Sequence, residues 1–344
     1  MRSVEIVDLF AGPGGLDVAA RNLGVPASGI EWDPDAYKTR LAAGLKTTKG
    51  DVRDFGPKDF PDASVLAGGP PCQTFTVAGS GVGRRALDTV IHFVHEMAAG
   101  NNIQADLSLL DDERTGLVLE PLRWALAAQR NEQPYDVIVL EQVPSVLPVW
   151  KEIGKVLEPL GYSVKTKVLR TEEFGVPQTR RRAILVARRN GEAALPAPTH
   201  RPYRKGVSRE DGDPALSRWR RMCDVLDRPE EFVVVSNYGS GGDPKARGRR
   251  LSTEPAATVT GKISRNRVLT SDGSRELPRF SHAEAGLLQT FPALYPWSGQ
   301  DLSQQIGNAI PPRLAEHVLT AALGLEKPSF SEAEVGMPGF ALTR

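Results

Sequence analysis

The residue with the clearest chemical potential in this sequence is Cys72, which follows two prolines at the end of an apolar run. The run from Ser64 to Ala67 is typical of a buried strand, and the prolines in Gly68-Gly69-Pro70-Pro71 end it because proline donates no backbone hydrogen bond. In open α/β sheets, substrates bind outside the carboxyl ends of the strands. The position therefore predicts a thiol that faces a substrate, although a lone intracellular cysteine is more often a small buried apolar residue.

Four further segments occur in a fixed order around this cysteine. They are the glycine turn 8–15, the triplet Glu141-Gln142-Val143, the arginine segment 178–182 and the segment 305–309. Each is weakly specific alone, but the ordered set, from residue 4 to about 189 and again from about 280 to 323, resembles the DNA cytosine-5 methyltransferases. The resemblance implies methyl transfer from S-adenosylmethionine to C5 of a flipped-out cytosine in duplex DNA.

The glycine turn has the features of a nucleoside-binding site. Gly12 and Gly14 allow a ligand to approach the backbone at a helix N-terminus, and Glu31 lies about twenty residues further on, where a ribose-binding acid is expected. From the residues alone, a dinucleotide fits as well as any nucleoside cofactor. The resemblance assigns the methionine part of S-adenosylmethionine to Phe10, Ala11, Gly12 and Gly14, the ribose to Glu31, the adenine to Trp32, Asp51 and Val52, and the remaining wall to Pro70, Leu117, Asn308 and Ala309.

A cysteine suits cytosine chemistry because C5 of the ring is a poor nucleophile until a thiolate adds at C6. Only about 3% of a thiol with an unperturbed pKa near 8.5 is ionised at pH 7, so the site should lower the pKa of Cys72 or place a positive charge beside it. The resemblance assigns proton donation at N3 to Glu141, the cytosine O2 contact to Arg182 and the bracing of Glu141 to Arg180. We expect burial to raise the pKa of Glu141, so that its carboxyl group can donate.

The sequence departs from the family pattern at three places. Thr76 stands where Ser is usual and Gln142 where Asn is usual. The extra methylene of Gln142 predicts a rearranged tether to the cysteine segment. Residues 81–111 are predicted to be an insertion in a mobile loop that closes over DNA. Its His92 and His95 are one helical turn apart, but no third ligand is visible, so exposed helix residues are predicted rather than a metal site.

Charge is distributed unevenly along the 344 residues, although the net charge is only +1. Residues 165–275 contain 24 Lys and Arg against 13 Asp and Glu. The interleaved Tyr203, Trp219 and Tyr238 favour contact with a DNA groove over an ordinary solvated basic face. Recognition residues are therefore expected between Arg201 and Arg267.

Apolar strand patterns alternate with helical patterns, which predicts a doubly wound α/β fold with a mostly parallel, Rossmann-like sheet and a late antiparallel edge hairpin. Prolines and low periodicity after Arg189 predict a second, smaller domain. The predicted segments are a catalytic and cofactor-binding domain at 1–189, a DNA-recognition domain at 190–280, a return to the catalytic domain at 281–325 and a weakly ordered tail at 326–344.

The predicted setting is the cytoplasm, because no apolar run approaches the ~20 residues that cross a bilayer, no signal peptide is visible, and Cys72 and Cys223 are not expected to pair. A monomer that binds double-stranded DNA is predicted, and a separate cognate restriction endonuclease is left open. The alternatives are the same chemistry on RNA, whose enzymes carry a Cys-Phe-Thr segment not found here, and an inert methylase-like DNA-binding regulator. A dinucleotide oxidoreductase would explain the glycines only.

Overall fold

The computed structural model describes residues 3–71, 81–108, 110, 112–239 and 247–326. Its elements are β1 (Ile6–Leu9), α1 (Gly15–Asn22), β2 (Ala27–Glu31), α2 (Pro34–Ala42), β3 (Thr47–Lys49), β4 (Val65–Gly68), α3 (Gly81–Ala98), α4 (Gln104–Leu107), α5 (Glu120–Arg130), β5 (Val137–Gln142), α6 (Leu147–Leu157), β6 (Ser163–Arg170), β7 (Arg181–Arg188), β8 (Phe232–Gly239), β9 (Arg247–Leu251), β10 (Arg267–Thr270), β11 (Glu276–Leu277), α7 (His282–Leu288), α8 (Leu302–Asn308) and α9 (Pro312–Leu323). Cys72, Thr76 and the predicted tail from residue 327 onward lie outside the described residues.

Strands β1 to β7 form one sheet in the order β3-β2-β1-β4-β5-β7-β6. Strands β1 to β5 pair in parallel, whereas β7 runs antiparallel to both β5 and β6. The strand order reverses between β1 and β4, and ligands bind at the carboxyl ends beside such a reversal. The predicted doubly wound, mostly parallel α/β fold with an edge hairpin is confirmed.

The central strands are covered on both faces, which is why their sequences are apolar without alternation. On one face, α3, α5 and α6 pack against the sheet and bury Trp124 and Trp150 completely. On the other face, α1 and α9 pack together over the sheet, with Leu314 and Val318 of α9 in the core.

Part of the predicted insertion belongs to this core. Val90, Phe93 and Val94 of α3 and the following Ile103 are buried, and α3 packs against α6. A loop that moves independently would not bury these side chains in the main core. The interpretation of the whole range 81–111 as an accessory to a mobile loop is therefore corrected.

A smaller antiparallel sheet has the order β11-β10-β8-β9. Its buried residues, such as Val234 and Val268, pack with Leu288 of α7 and Ile306 of α8. The segment predicted to return to the catalytic domain is therefore divided, because α7 and α8 complete the core of the small sheet while α9 packs on α1. The exact segment boundaries stay predictions.

Within the described ranges, no helix combines the length and the apolar character needed to cross a bilayer.

Candidate active site

Strands of the large sheet end on a common rim, and the predicted site residues follow them. The glycine turn follows β1, Glu31 ends β2, Gly68 ends β4, and Glu141 is the penultimate residue of β5. These four strands are parallel, so their carboxyl ends face the same edge of the sheet. The predicted nucleophile Cys72 comes four residues after the end of β4, outside the described residues, and its role stays a prediction.

The turn between β1 and α1 depends on glycine. Gly12 and Gly14 have φ values of 54° and 100°, which glycine adopts readily. A Cβ on Gly14 would lie 2.2 Å from Leu45 Cδ1, so the turn is closely packed on the side that faces Leu45. A Cβ on Gly12, in contrast, would meet nothing within 4 Å. The space over Gly12 therefore leaves room for a ligand close to the backbone.

The Glu31 carboxylate holds this turn in place. Its two oxygens accept hydrogen bonds from the backbone N–H groups of Gly12 and Asp33, each at 2.6 Å. Burial raises the pKa of Glu31, although these two N–H donors oppose the rise. Each oxygen keeps a second lone pair, so the carboxylate can still accept from ligand hydroxyls. The neighbouring Trp32 is 67% exposed and offers a ring surface beside the acid.

The segment after β3 lies next to Glu31. The backbone N–H just before Asp51 donates to the Glu31 carbonyl at 3.1 Å. Burial would raise the pKa of Asp51, but hydrogen bonds from Arg53 outweigh it and lower the pKa. Val52 is buried, and its carbonyl accepts from Arg123 at 3.0 Å. The chain just before Asp51 is thus joined to the backbone of Glu31, and the contact of Asp51 and Val52 with adenine stays a prediction.

The remaining predicted cofactor residues lie further around the rim. Phe10 opens the glycine turn with a φ of 60°, and the Ala11 N–H donates to the carbonyl of the β2 residue before Glu31 at 3.0 Å. Leu117 is half-buried in the 3₁₀ turn before α5. Asn308 is exposed at the end of α8, and Ala309 is buried after it. Hydrogen bonds thus connect the glycine turn, which begins at Phe10, to the end of β2 at Glu31. Leu117 and Asn308, in contrast, belong to other elements of the fold.

A buried ion pair beneath the glycine turn was not predicted. Arg40 of α2 donates to both carboxylate oxygens of Asp17 at 2.7 Å, and it also reaches the Ala11 carbonyl at 3.3 Å. Burial and the nearby Asp17 carboxylate raise the pKa of Asp8 in β1 well above its usual range. The available signal was an acid, Asp17, on the apolar face of α1, since an acid is rarely buried unless it is paired.

Glu141 and Arg182 meet at the end of β5. Arg182 Nε lies 2.6 Å from Glu141 Oε1, and each side chain is 12% exposed. We interpret this contact as a close charge pair rather than an aligned hydrogen bond, since the oxygen has no partner of good hydrogen-bond geometry among the described residues. A Cβ on Gly69 would lie 3.4 Å from Glu141 Oε2. The acid therefore lies against the segment that leads to Cys72.

Gln142 ties that same segment to β5. Its side-chain amide nitrogen donates to the Pro70 carbonyl, and its amide oxygen accepts from the Val143 N–H at 2.5 Å. The longer side chain therefore makes a tether to the cysteine segment.

Arg180 is buried and binds main-chain carbonyls. It is 1% exposed and donates to the backbone carbonyls of Val259 and Gly307, both at 2.8 Å, and of Ala309 at 3.2 Å. The guanidinium that meets the Glu141 carboxylate is that of Arg182. The described contacts of Arg180 join the arginine segment to the end of α8 and to the chain between β9 and β10, and the bracing of Glu141 by Arg180 stays a prediction.

Buried glutamines extend this joint. Gln178 accepts from the Val259 N–H at 2.7 Å and donates to Gln289 at 2.8 Å, and Gln289 donates to the Ile306 carbonyl at 2.6 Å. Both glutamine side chains are fully buried. The sequence singled out Gln178 as part of a motif, but nothing in it indicated Gln289.

A cavity of about 540 Å³ opens beside Arg182. It is lined by Pro144, Arg170, Glu172, Thr179, Arg181, Arg182, Tyr203, Lys205, Arg250 and Thr258. Arg250 lies over the Tyr203 ring, 4.7 Å from its centroid, and donates to its hydroxyl at 2.8 Å. Burial raises the pKa of Glu172 to about 7. Basic residues from the predicted recognition region therefore face the same space as the predicted catalytic arginine.

Known proteins resemble this chain in sequence. A model of the C-5 cytosine-specific DNA methylase family matches residues 4–93 and 109–323. Type II methyltransferase M1.HphI of Haemophilus parahaemolyticus is 28% identical over 360 residues, which cover 93% of this chain and 87% of that protein. Type II methyltransferase M.MthTI of Methanothermobacter thermautotrophicus is 25% identical over 349 residues, which cover 92% and 96%. The family match leaves out residues 94–108 between its two parts.

Solved structures share the fold. The Dnmt2 methyltransferase of S. pombe superposes with a TM-score of 0.61 at 17% identity, covering 93% of this chain and 98% of that one. The Entamoeba histolytica methyltransferase EhMeth gives 0.61 at 13% identity, covering 94% and 99%. The family match includes the glycine turn, Glu141 and the arginine segment, and it spans well over half of the sequence. The chain therefore belongs to the C-5 cytosine-specific DNA methylase family.

Proposed function

We propose that the protein is a DNA (cytosine-5-)-methyltransferase that uses S-adenosylmethionine and Cys72 as its nucleophile. The observation that carries the proposal is the Glu141–Arg182 pair, which lies against Gly69 on the rim where the glycine turn and Glu31 also lie. An acid and a guanidinium are thus positioned beside the segment that presents the thiol. Family membership supports cytosine in DNA as the substrate.

The proposed chemistry begins with addition of the Cys72 thiolate to C6 of cytosine. Electron density then moves toward N3, where the Glu141 carboxyl group donates a proton, and C5 becomes nucleophilic. Arg182 pairs with the Glu141 carboxylate before cytosine enters the site. In the proposal, cytosine O2 competes for this guanidinium, which leaves the carboxyl group free to carry the proton. Once C5 carries the methyl group, its proton passes to water, the thiolate departs from C6 and the N3 proton returns to the Glu141 carboxylate, which ends the cycle.

The residues around the glycine turn fit S-adenosylmethionine. Glu31 is buried, keeps acceptor capacity and lies beside the open space over Gly12, while Trp32 exposes its ring next to it. When bound, S-adenosylmethionine supplies a methyl group activated by a sulfonium sulfur. In the proposal, Glu31 binds the ribose hydroxyls and Val52 contacts the adenine. Leu117, Asn308 and Ala309 close the pocket.

Double-stranded DNA is the proposed partner, bound along the basic cavity that contains Arg182 and Arg250. A carbon inside a duplex cannot reach Cys72, so the target base must leave the stack, at a cost of a few kcal/mol. Guanidinium and lysine contacts with phosphates offset that cost. The monomeric state and the cytoplasmic location stay predictions of the sequence.

The decisive test is covalent trapping. Duplex DNA with 5-fluorocytosine at the target should become attached to the protein when S-adenosylmethionine is present, because fluorine at C5 cannot leave as a proton and the bond to Cys72 has no elimination route. Cys72→Ala should abolish the adduct, detected as a shifted band under denaturing conditions. Cys223→Ala is the matched control, since it removes the other cysteine and should leave the adduct intact.

The same assay separates the alternatives. An inert DNA-binding regulator or an oxidoreductase would give no adduct, and an enzyme specific for RNA would give one only with fluorinated RNA. An adduct that persists in Cys72→Ala would mean that the nucleophile has been misassigned.

A further inference from the structure

A second cavity, of about 1260 Å³, lies along α9, away from the rim. One wall is a single face of α9 that includes Arg313, His317 and Thr320, and the other is the chain between residues 195 and 224. Its lining shares no residue with the predicted cofactor pocket or with the basic cavity beside Glu141. Its volume is sufficient for a ligand of nucleotide size.

The lining of this cavity is strongly cationic. It contains five guanidiniums against a single carboxylate, that of Asp224, among the described residues. The guanidiniums are those of Arg201, Arg209, Arg218, Arg220 and Arg313. Asp224 pairs with Arg221, from outside the lining, at 2.7 Å and with Arg209 at 3.3 Å. Arg218 pairs with Glu210, also outside the lining, at 2.5 Å. The positive charges of the lining still outnumber these carboxylates. A large positive charge in a concave, partly dry site attracts anions.

His200 and Arg313 lie side by side in the cavity wall. Both pack onto Gly175, whose φ is 75°, and a Cβ there would lie 2.6 Å from the His200 ring and 3.0 Å from Arg313 Nε. Burial and then Arg313 and Arg220 lower the pKa of His200 to about 4. Burial and Arg220 lower the pKa of Arg313 to about 10. Both pKa values are lowered, as expected where positive charges are crowded together. A bound anion would stabilise those charges.

Thr320 adds an independent sign of a ligand. Its side chain is 6% exposed and lines the cavity, yet its hydroxyl oxygen has no hydrogen-bond partner among the described residues. A buried hydroxyl without a partner is costly, so it indicates a group that the protein alone does not supply.

The end of the cavity beyond Thr320 is apolar. It is formed by Leu195, Pro196, Ala197, Ala321 and Leu325. A ligand that spans the cavity would therefore place charge at the His200 end and an apolar body at the Leu325 end.

We propose that this cavity binds a small organic phosphate, with the phosphate among Arg220, Arg313 and Thr320 and an apolar body against Leu195 and Leu325. Inorganic phosphate alone would use only the cationic end. The proposal concerns a ligand other than the methyl donor and the DNA, and it does not depend on the catalytic assignment.

The test is calorimetric titration of the full chain with ADP, in the presence of saturating S-adenosylhomocysteine so that the cofactor pocket is blocked. We expect one ADP per chain. Arg220→Ala should weaken binding about tenfold or more, as loss of a charged hydrogen bond does. Arg250→Ala is the matched control, because it removes an arginine from the other basic cavity and should leave the ADP affinity unchanged. Thermal unfolding of each variant verifies that it is folded.

Two further titrations sharpen the result. Thr320→Val keeps the volume of the side chain and should weaken ADP several-fold, while inorganic pyrophosphate should bind more weakly than ADP. Absence of binding by ADP, or equal affinity in wild type and Arg220→Ala, would overturn the proposal. Equal affinity for pyrophosphate and ADP would overturn the assignment of an apolar body.

Discussion

Replacing Glu141 with Gln tests the proposed acid with almost no change of shape. The substitution removes the carboxylate that lies 2.6 Å from Arg182, in a pair whose side chains are each 12% exposed. Removing one partner of a buried pair costs about 3–5 kcal/mol, because the other charge stays desolvated. Since this pair borders a cavity, water can reach Arg182, and we expect a loss of about 3 kcal/mol or less in the free energy of unfolding.

The expected loss of activity is larger than the loss of stability explains. An amide cannot donate a proton at N3 as a carboxyl group does, so the single-turnover rate of methyl transfer should fall by about 10²–10⁴. DNA affinity, measured by fluorescence anisotropy, should change little. Urea unfolding gives the stability of the same variant, so that rates are compared only where the protein is folded.

Glu284→Gln is the matched control for this experiment. It breaks a pair of the same length, 2.6 Å to Arg228, whose side chains are 21% and 11% exposed, far from the rim. This variant should lose stability and keep its single-turnover rate. Wild-type-like methylation by Glu141→Gln would remove Glu141 from the mechanism, and an equal loss of rate in both variants would show that the effect is structural.

Three further predictions concern the tether, the DNA surface and pH. Gln142→Leu should slow adduct formation on 5-fluorocytosine DNA about tenfold, because the Pro70 carbonyl loses its donor, while the affinity for S-adenosylmethionine is kept. Gln142→Asn should restore part of the rate. An unchanged rate in Gln142→Leu would contradict the proposed tether. Arg250→Ala should weaken DNA binding and reduce the slope of log affinity against log salt by about 0.9 for each phosphate that the protein no longer neutralises, and an unchanged slope would place the DNA surface elsewhere. The pKa of Glu172 is about 7 in the fold and 4.5 without it, so its protonated form stabilises the fold below pH 4.5 and that stabilisation is lost as pH rises through 7. Glu172→Gln should therefore gain melting temperature over wild type at pH 8 relative to pH 5, and an equal difference at the two pH values would contradict this reasoning.

The positions of the acids could be predicted from sequence because they rest on a local rule. Glu31 and Glu141 each follow an apolar run, and the carboxyl ends of parallel strands share one edge. The structure places both at that edge, Glu31 on the glycine turn and Glu141 against Gly69.

The different contacts of the two arginines could not be predicted in this way. Arg180 and Arg182 are two residues apart, so an extended chain directs both to one side. β7 begins only at Arg181, and the chain before it pairs instead with residues 256–259. This pairing places Arg180 among buried main-chain carbonyls such as that of Val259. Such a long-range pairing leaves no local signal.

The helix α3 shows a signal that was present but outweighed. Val90, Phe93 and Val94 have the spacing of one apolar helix face, which predicts burial. The length of the range 81–111, compared with the family pattern, predicts an addition to a loop instead. The partner face on α6 lies more than fifty residues away in sequence, so only the fold identifies it.

The joint around Arg180 bears on how related proteins could differ in the DNA sequence they recognise. All three acceptors described for this guanidinium are main-chain oxygens, of Val259, Gly307 and Ala309. Main-chain oxygens are supplied by every amino acid, so the joint depends on the path of the backbone and not on the side chain at position 259. The stretch between β7 and residue 256 can therefore diverge in sequence, or be exchanged for a counterpart of different length, while the attachment to the catalytic sheet is kept.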